Sequence, residues 1–344
     1  MNQENKYIYI STWLMLITLL VVIMIIVGGL TRLTDSGLSI TRWDLITGII
    51  PPLNLDQWQI SFELYKKIPE FKLINPTMTL EEFKTIYYWE YIHRLLGRIL
   101  GIAFLLPLIF FTFKKKITKK YLFSFYFIFF LILLQGAIGW YMVKSGLVKV
   151  TDVSHYRLSL HLTLAFIIFI FLLWNFLSYT NKSDLSKLKK IPYNLPKLFL
   201  FFILLQVSIG AFVSGLDAGQ IYQTWPLMND TYFPNDSNVT DLFKKNVFSI
   251  PSLVQFIHRN IAYFILFLFI FIFLIVFKTK DLFYLRNTVI LIFISLVLQI
   301  FLGILTILSG AQLLVSSLHQ VGSIFLVSTS LILVFKNSNL TNSS

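Results

Sequence analysis

The 344-residue chain contains no cysteine. That excludes disulfides, thiolate metal ligation, Cys-ligated iron–sulfur clusters and covalent attachment of a porphyrin through C-x-x-C-H. Charge is scarce as well: Asp, Glu, Lys and Arg make up 13% of residues, against 56% hydrophobic and 17% aromatic. So little charge cannot cover a soluble domain this apolar. Acidic residues are the scarcer sign, 16 against 29 Lys and Arg, for a net charge of +13. A cationic chain invites comparison with nucleic-acid binders, but the placement of the charge argues against nucleic acid. Lys114, Lys115, Lys116, Lys119 and Lys120 share one connection between apolar segments. Lys182, Lys187, Lys189, Lys190 and Lys197 share another, and Lys278, Lys280 and Arg286 a third. The alternate connections after the first hold Lys144 and Lys149, then Lys244 and Lys245, then none. Basic residues on every second loop are a topology signal of a membrane protein, with a contact to anionic membrane lipid as the alternative reading.

Eight segments are apolar for about the 20 residues that a membrane-spanning helix needs. They run over 8–30, 91–113, 121–143, 156–179, 197–216, 256–277, 286–308 and 313–335. The first has too long an apolar run, too little leading charge (Lys6) and no small-residue cleavage pattern for a signal peptide, and reads as a retained helix. An Arg-rich transit pattern is also missing, which points to a bacterial or already processed chain. The fold class is therefore all-α and integral to the membrane. The Lys-rich loops and an even number of spans place both termini in the cytoplasm.

The chain repeats itself. Gly28, Asp35, Gly37, Trp43, Leu45 and Pro52 match Gly210, Asp217, Gly219, Trp225, Leu227 and Pro234 at one offset. Gln135, Gly139, Ser145 and Gly146 match Gln299, Gly303, Ser309 and Gly310. Two four-helix bundles in parallel orientation are expected, 1–180 and 197–336, related by a pseudo-symmetry axis along the membrane normal. Four of the five histidines follow the same repeat: His93 matches His258, and His161 matches His319. Each lies near the outer end of a span. One such His reads as readily as an interfacial polar anchor. Four, paired by repeat, favour a metal or two bis-His haem sites. Zinc is disfavoured because its sites recruit further ligands, and no Cys or carboxylate cluster accompanies both pairs. The fifth, His155, has Leu313 at its repeat position and reads as an interfacial residue, with a substrate or propionate contact as the alternative.

The halves differ beside these histidines. Glu90 lies one turn before His93, where the second half has Gln255 before His258. A carboxylate exchanges protons and an amide does not, so the first site suits chemistry and the second electron transfer. Pairing of Glu90 with Arg94 or Lys84 is the structural alternative. Arg32, Arg94, Arg98 and Arg259, with Arg42 and Arg157, are candidates for binding porphyrin propionates. The connection 31–90 is much the longest. Within it, residues 56–67 read as a short amphipathic helix capped by Asn54 or Asp56, either a lid over the first site or an aromatic anchor at the interface.

Five stretches carry a resemblance: GGLTRLTDSGLSITRWDLITGIIPP at 28–52, IYYWEYIHRLLGRILG at 86–101, YRLSLHL at 156–162, QVSIGAFVSGLDAG at 206–219 and IHRN at 257–260. The chain resembles, over nearly its whole length, the haem A synthase family in its alphaproteobacterial and mitochondrial branch. The resemblance implies an oxidoreductase of the bacterial inner membrane that oxidises the C8 methyl of haem O to the formyl group of haem A, with water as oxygen source. The haem A made is the cofactor of terminal oxidases, so the resemblance also implies a part in cytochrome oxidase assembly. It implies that His93 and His161 bracket haem O, that Glu90 is the acidic residue at the reaction site, and that His258 and His319 ligate a haem b. Both sites then face the outer side. Implied partners are haem O synthase and an electron acceptor, with self-association into a homo-oligomer as a further candidate. Some members carry a Cys pair in the first outer loop, which this chain lacks, so no mechanism here uses one. A di-haem cytochrome b that carries electrons without altering the porphyrin is the competing reading.

Overall fold

The computed structural model describes residues 3–44, 47–149, 153–181 and 188–338, so Leu45, Lys182 and Lys187 lie outside it. Among the described residues no strand forms, and eight helices are long and apolar enough to cross a membrane. The protein is an integral membrane protein. The reason it forms helices is the solvent: in hydrocarbon every backbone N–H and C=O needs a partner, and a helix supplies them within one segment. Large apolar side chains such as Phe123, Phe267 and Ile294 stand exposed on these helices, as a lipid-facing surface requires.

Among the described residues ten α-helices follow one another: α1 (Gln3–Leu33), α2 (Leu55–Tyr65), α3 (Pro69–Leu73), α4 (Leu80–Phe113), α5 (Lys119–Lys149), α6 (His155–Thr180), α7 (Leu195–Gly215), α8 (Pro251–Lys278), α9 (Arg286–Leu308) and α10 (Leu313–Lys336). The chain divides into two compact units. One comprises residues 16–168, the other residues 1–15 and 169–344.

In the second unit, α7 packs on α8, α8 on α9, α9 on α10 and α10 back on α7. The four helices close a ring in which α8 and α10 are diagonal partners. The ring is tied at one end by the Ile191 N–H, which donates to Asn337 Oδ1 at 2.7 Å. Trp174 meets Phe335 edge-on at the same end, with ring centroids 5.2 Å apart.

In the unit 16–168, α4 packs on α5 and also carries α2. This helix begins at Leu80, about three turns before the apolar segment read from sequence. A capping box starts it: Glu82 N–H donates to Thr79 Oγ1 at 3.4 Å, and Thr79 N–H donates to Glu82 Oε2 at 2.8 Å. The added turns extend out of the apolar segment and give the long connection something to fold against. Asn54 caps α2, accepting from Gln57 N–H at 3.0 Å, which decides between the two candidate caps. Its apolar face, Trp58, Phe62 and Tyr65, is buried with Phe83 of α4. Trp58 is therefore a core residue and not an exposed anchor at the interface. Behind this face Tyr65 donates to Glu70 Oε1 and accepts from Asn75 Nδ2, each at 3.0 Å. Burial, with the Glu70 carboxylate beside it, holds the Tyr65 hydroxyl well above the usual phenol range.

The repeat is visible in local geometry. Helices α1 and α7 end at matched positions, Leu33 and Gly215. Asp35 and Asp217, two residues on, both adopt the left-handed conformation, with φ of 48° and 49°.

Candidate functional site

The histidines sit where neighbouring helices come unusually close. Each imidazole lies against a glycine of the preceding spanning helix, and a Cβ there would collide with the ring or crowd it. The contact would be 3.1 Å for Gly28 against His93 and 3.1 Å for Gly139 against His161. It would be 3.2 Å for Gly210 against His258 and 2.9 Å for Gly303 against His319. Any larger residue would push the ring into the bundle. Gly303→Ala is therefore expected to displace His319 at an overpacking cost of about 1–3 kcal/mol. Gly101→Ala, where a Cβ would meet nothing within 4 Å, is the control. The comparison is read as a change in the absorption spectrum of the purified protein, present in the first variant and absent in the second. Equal spectra would show that the glycine does not set the ring.

In the second unit, His258 and His319 lie about two turns into α8 and α10. Their rings meet across the bundle, 6.5 Å between centroids. Metal–imidazole distances of about 2 Å, with the ring centre roughly 1 Å further on, put two axial rings about 6 Å apart. The donor pair thus fits a haem iron. The Nδ1 atoms of His161, His258 and His319 are buried without a hydrogen-bond partner. A buried ring nitrogen in that state costs free energy. Among the described residues no group of three or more His, Cys, Asp or Glu could hold a metal ion.

His93 and His161 both lie in the other unit, on α4 and α6. His161 is about two turns into α6, whereas His93 is about four turns into α4 because of the outward extension. His155 opens α6 with its ring tilted on Tyr156, centroids 4.4 Å apart.

Glu90 is buried at 3% exposure and holds three donors. Ser39 Oγ and the Ile40 N–H each donate to Oε2 at 2.7 Å, and Arg94 Nη2 donates to Oε1 at 2.6 Å. Arg94 also donates to the carbonyls of Ile40 and Arg42. The carboxylate and its arginine thus clamp the loop that follows α1 onto α4. The second unit repeats the clamp with reversed polarity. Gln255 Nε2 donates to Ala218 O at 3.0 Å and Tyr222 O at 3.2 Å, and Arg259 reaches Tyr222 O, Leu227 O and Gln255 Oε1. Ile40 and Tyr222 are matched by the repeat, so the two arginines grip the same loop position. Of the remaining arginines, Arg32 pairs with Asp35 at 2.6 Å, Arg98 donates to Asp44 O at 3.0 Å, and Arg157 bonds Ser145 Oγ.

Sequence reasoning recorded Gln135 and Gln299 only as repeat matches and missed the bond they make and its third member, Gln206. Gln135, Gln206 and Gln299 donate through Nε2 to the backbone carbonyls of His161, His258 and His319 at 2.9–3.0 Å. Each lies one turn before the glycine that faces the same histidine. The signal was a Gln-x-x-x-Gly spacing that occurs three times, legible once the repeat is divided into helix pairs.

Membrane-length helices that carry half-buried histidines define a polytopic membrane protein. A sequence profile described as cytochrome oxidase assembly protein matches residues 11–331. The chain is 49% identical over 342 residues to the haem A synthase of Pelagibacter ubique, covering 98% of this chain and 99% of that one. It is 41% identical over 324 residues to the haem A synthase of Rhizobium rhizogenes, covering 94% and 88%. The haem A synthase of Flavobacterium psychrophilum is also 41% identical, over 342 residues, covering 95% and 97%. The chain belongs to the cytochrome oxidase assembly protein family, in its haem A synthase branch.

Proposed function

We propose that the chain is a haem A synthase, an oxidoreductase that converts the C8 methyl of haem O into a formyl group. The observation that carries this reading is the pair of imidazoles 6.5 Å apart across a membrane-length bundle, in a chain whose relatives over their full length are haem A synthases. His93 and His161 would ligate the substrate iron, and His258 and His319 a haem b. When bound, that haem b supplies an acceptor for electrons leaving the substrate. Taking a methyl group and one water to a formyl group releases four electrons and four protons. Two successive hydroxylations, to the alcohol and then to a geminal diol that loses water, divide the release into equal steps. Protons leave through a group beside His93, and Glu90 is the carboxylate there. Arg32 at the end of α1, Arg94 and Arg98 within α4, and Arg259 within α8 are the candidates for contacts with propionates. The Lys-rich connections support a reading with both termini in the cytoplasm and the histidines toward the outer face of the bacterial inner membrane. Haem O synthase would deliver the substrate.

Extraction and chromatography of the bound porphyrins test the reading. Haem b together with haem O, its alcohol or haem A is expected. A purified protein that carries only haem b, and converts no added haem O, would be an electron carrier.

A further inference from the structure

We propose that Met24 makes His93 a releasable axial ligand, so that porphyrin can enter and leave the His93/His161 site while that at His258/His319 stays bound. The proposal rests on the haem reading of these histidine pairs. Three of the four histidines are clipped at the backbone by a glutamine on the neighbouring helix: Gln135 to His161, Gln206 to His258 and Gln299 to His319. In each case the amide sits one turn before the glycine that receives the imidazole, and its Oε1 is buried without a partner. The side chain is thus present for its N–H. Water does not compete inside the bilayer, so such a bond fixes one helix against the other at the level of the ligand.

The fourth pair breaks the pattern. One turn before Gly28, α1 carries Met24, an apolar and flexible side chain with no donor. Its Cε lies 3.8 Å from where a Cβ on Gly97 would stand, one turn beyond His93 on α4. The ring of His93 differs too. Its Nε2 is the atom nearest Gly28, whereas His161, His258 and His319 each present Cε1 to their glycine. A half-turn about Cβ–Cγ exchanges the two edges, so His93 occupies an orientation that the clipped histidines do not. An enzyme that alters a porphyrin must accept and discharge it on every turnover, whereas a resident electron carrier must stay. The unclipped ligand lies in the site where exchange is required, beside the Glu90 clamp that the other site replaces with an amide.

Transfer of porphyrin to excess apomyoglobin reads this directly. Full-length protein in lipid nanodiscs is loaded with iron protoporphyrin IX, and the rise in myoglobin absorbance is followed. Two phases are expected, and His161→Ala should remove the fast one. Met24→Gln should slow the fast phase by about three- to tenfold, the worth of one net hydrogen bond, and leave the slow phase alone. Gln299→Met, a near-isosteric loss of the clip, should speed the slow phase by a similar factor. An unchanged fast phase in a Met24→Gln protein carrying both porphyrins overturns the proposal. If that variant does not fold, Gln299→Met decides, and an unchanged slow phase overturns it. Two phases that both survive His161→Ala would instead refute the assignment of the first porphyrin site, whatever Met24 does.

Discussion

His319→Ala is expected to abolish the low-spin haem b spectrum and, with it, the formation of haem A. The change removes one of two imidazoles whose rings lie 6.5 Å apart and leaves His258 alone on the far side of the bundle. It also opens a void next to Gly303. A porphyrin held by one axial ligand turns high-spin or dissociates. His258→Ala should behave the same way, because α8 and α10 contribute the two halves of one site. Porphyrin at His93/His161 should survive and remain as haem O, since its electrons have no route out. His155→Ala is the control, expected to leave both spectra intact, because that residue opens α6 beside Tyr156 and joins neither pair. A low-spin haem b signal that persists in both His258→Ala and His319→Ala would remove the C-terminal site from the scheme.

The eight spans were legible because an apolar run of helical length, in a chain this poor in charge, can hardly be anything but a membrane helix. The four matched histidines were legible because a duplication repeats them, and His258 and His319 meet ring to ring in the fold. Less of the first outer connection could be read. Residues 55–65 form the expected helix, but nothing in the apolar pattern reveals that α4 starts at Leu80 and extends out to meet it. That extension is polar and aromatic, so a hydropathy window ends near Tyr91, while the cap that starts the helix lies at Thr79 and Glu82. The reading of Glu90 changed in kind. From sequence it was a carboxylate one turn from a histidine, with pairing to Arg94 as the alternative. In the fold the ion pair forms, at 2.6 Å, and two further donors come from the loop after α1. No spacing rule reveals them, because Ser39 and Ile40 are some fifty positions away in the chain. Arg94, Arg98 and Arg259 hold loop carbonyls, while Arg32 pairs with Asp35, engagements that charge alone does not disclose.

Glu90→Gln is expected to leave porphyrin bound at both sites and to reduce haem A formation by about 10²–10⁴-fold, the usual worth of a general acid–base group. The competing role, loop clamping, makes a different prediction, and the repeat supplies its reference. At Gln255 an amide next to an arginine is stable because its N–H groups meet two carbonyls, those of Ala218 and Tyr222. At position 90 the partners are donors, the Ser39 hydroxyl and the Ile40 N–H. An amide there can accept through its oxygen, but its NH₂ faces a second donor, and Arg94 loses its counter-charge. Loss of one partner of a buried ion pair costs about 3–5 kcal/mol. If clamping is all that Glu90 does, this cost should appear as a lower melting temperature and lost porphyrin, with activity per bound porphyrin unchanged. If Glu90 takes protons from the substrate methyl, activity per bound porphyrin should collapse, and haem O or the half-oxidised alcohol should accumulate in the site. Ser39→Ala separates the two further, since it removes one clamp bond of about 1.5–3 kcal/mol to a charged acceptor and keeps the carboxylate. It should lower stability while turnover per porphyrin persists. Gln255→Glu should not change which porphyrin is produced, because the reacting methyl belongs to the other site. Normal turnover per porphyrin in Glu90→Gln would leave the carboxylate as a fastener between α4 and the loop after α1, and the proton acceptor would have to be sought among other groups around His93.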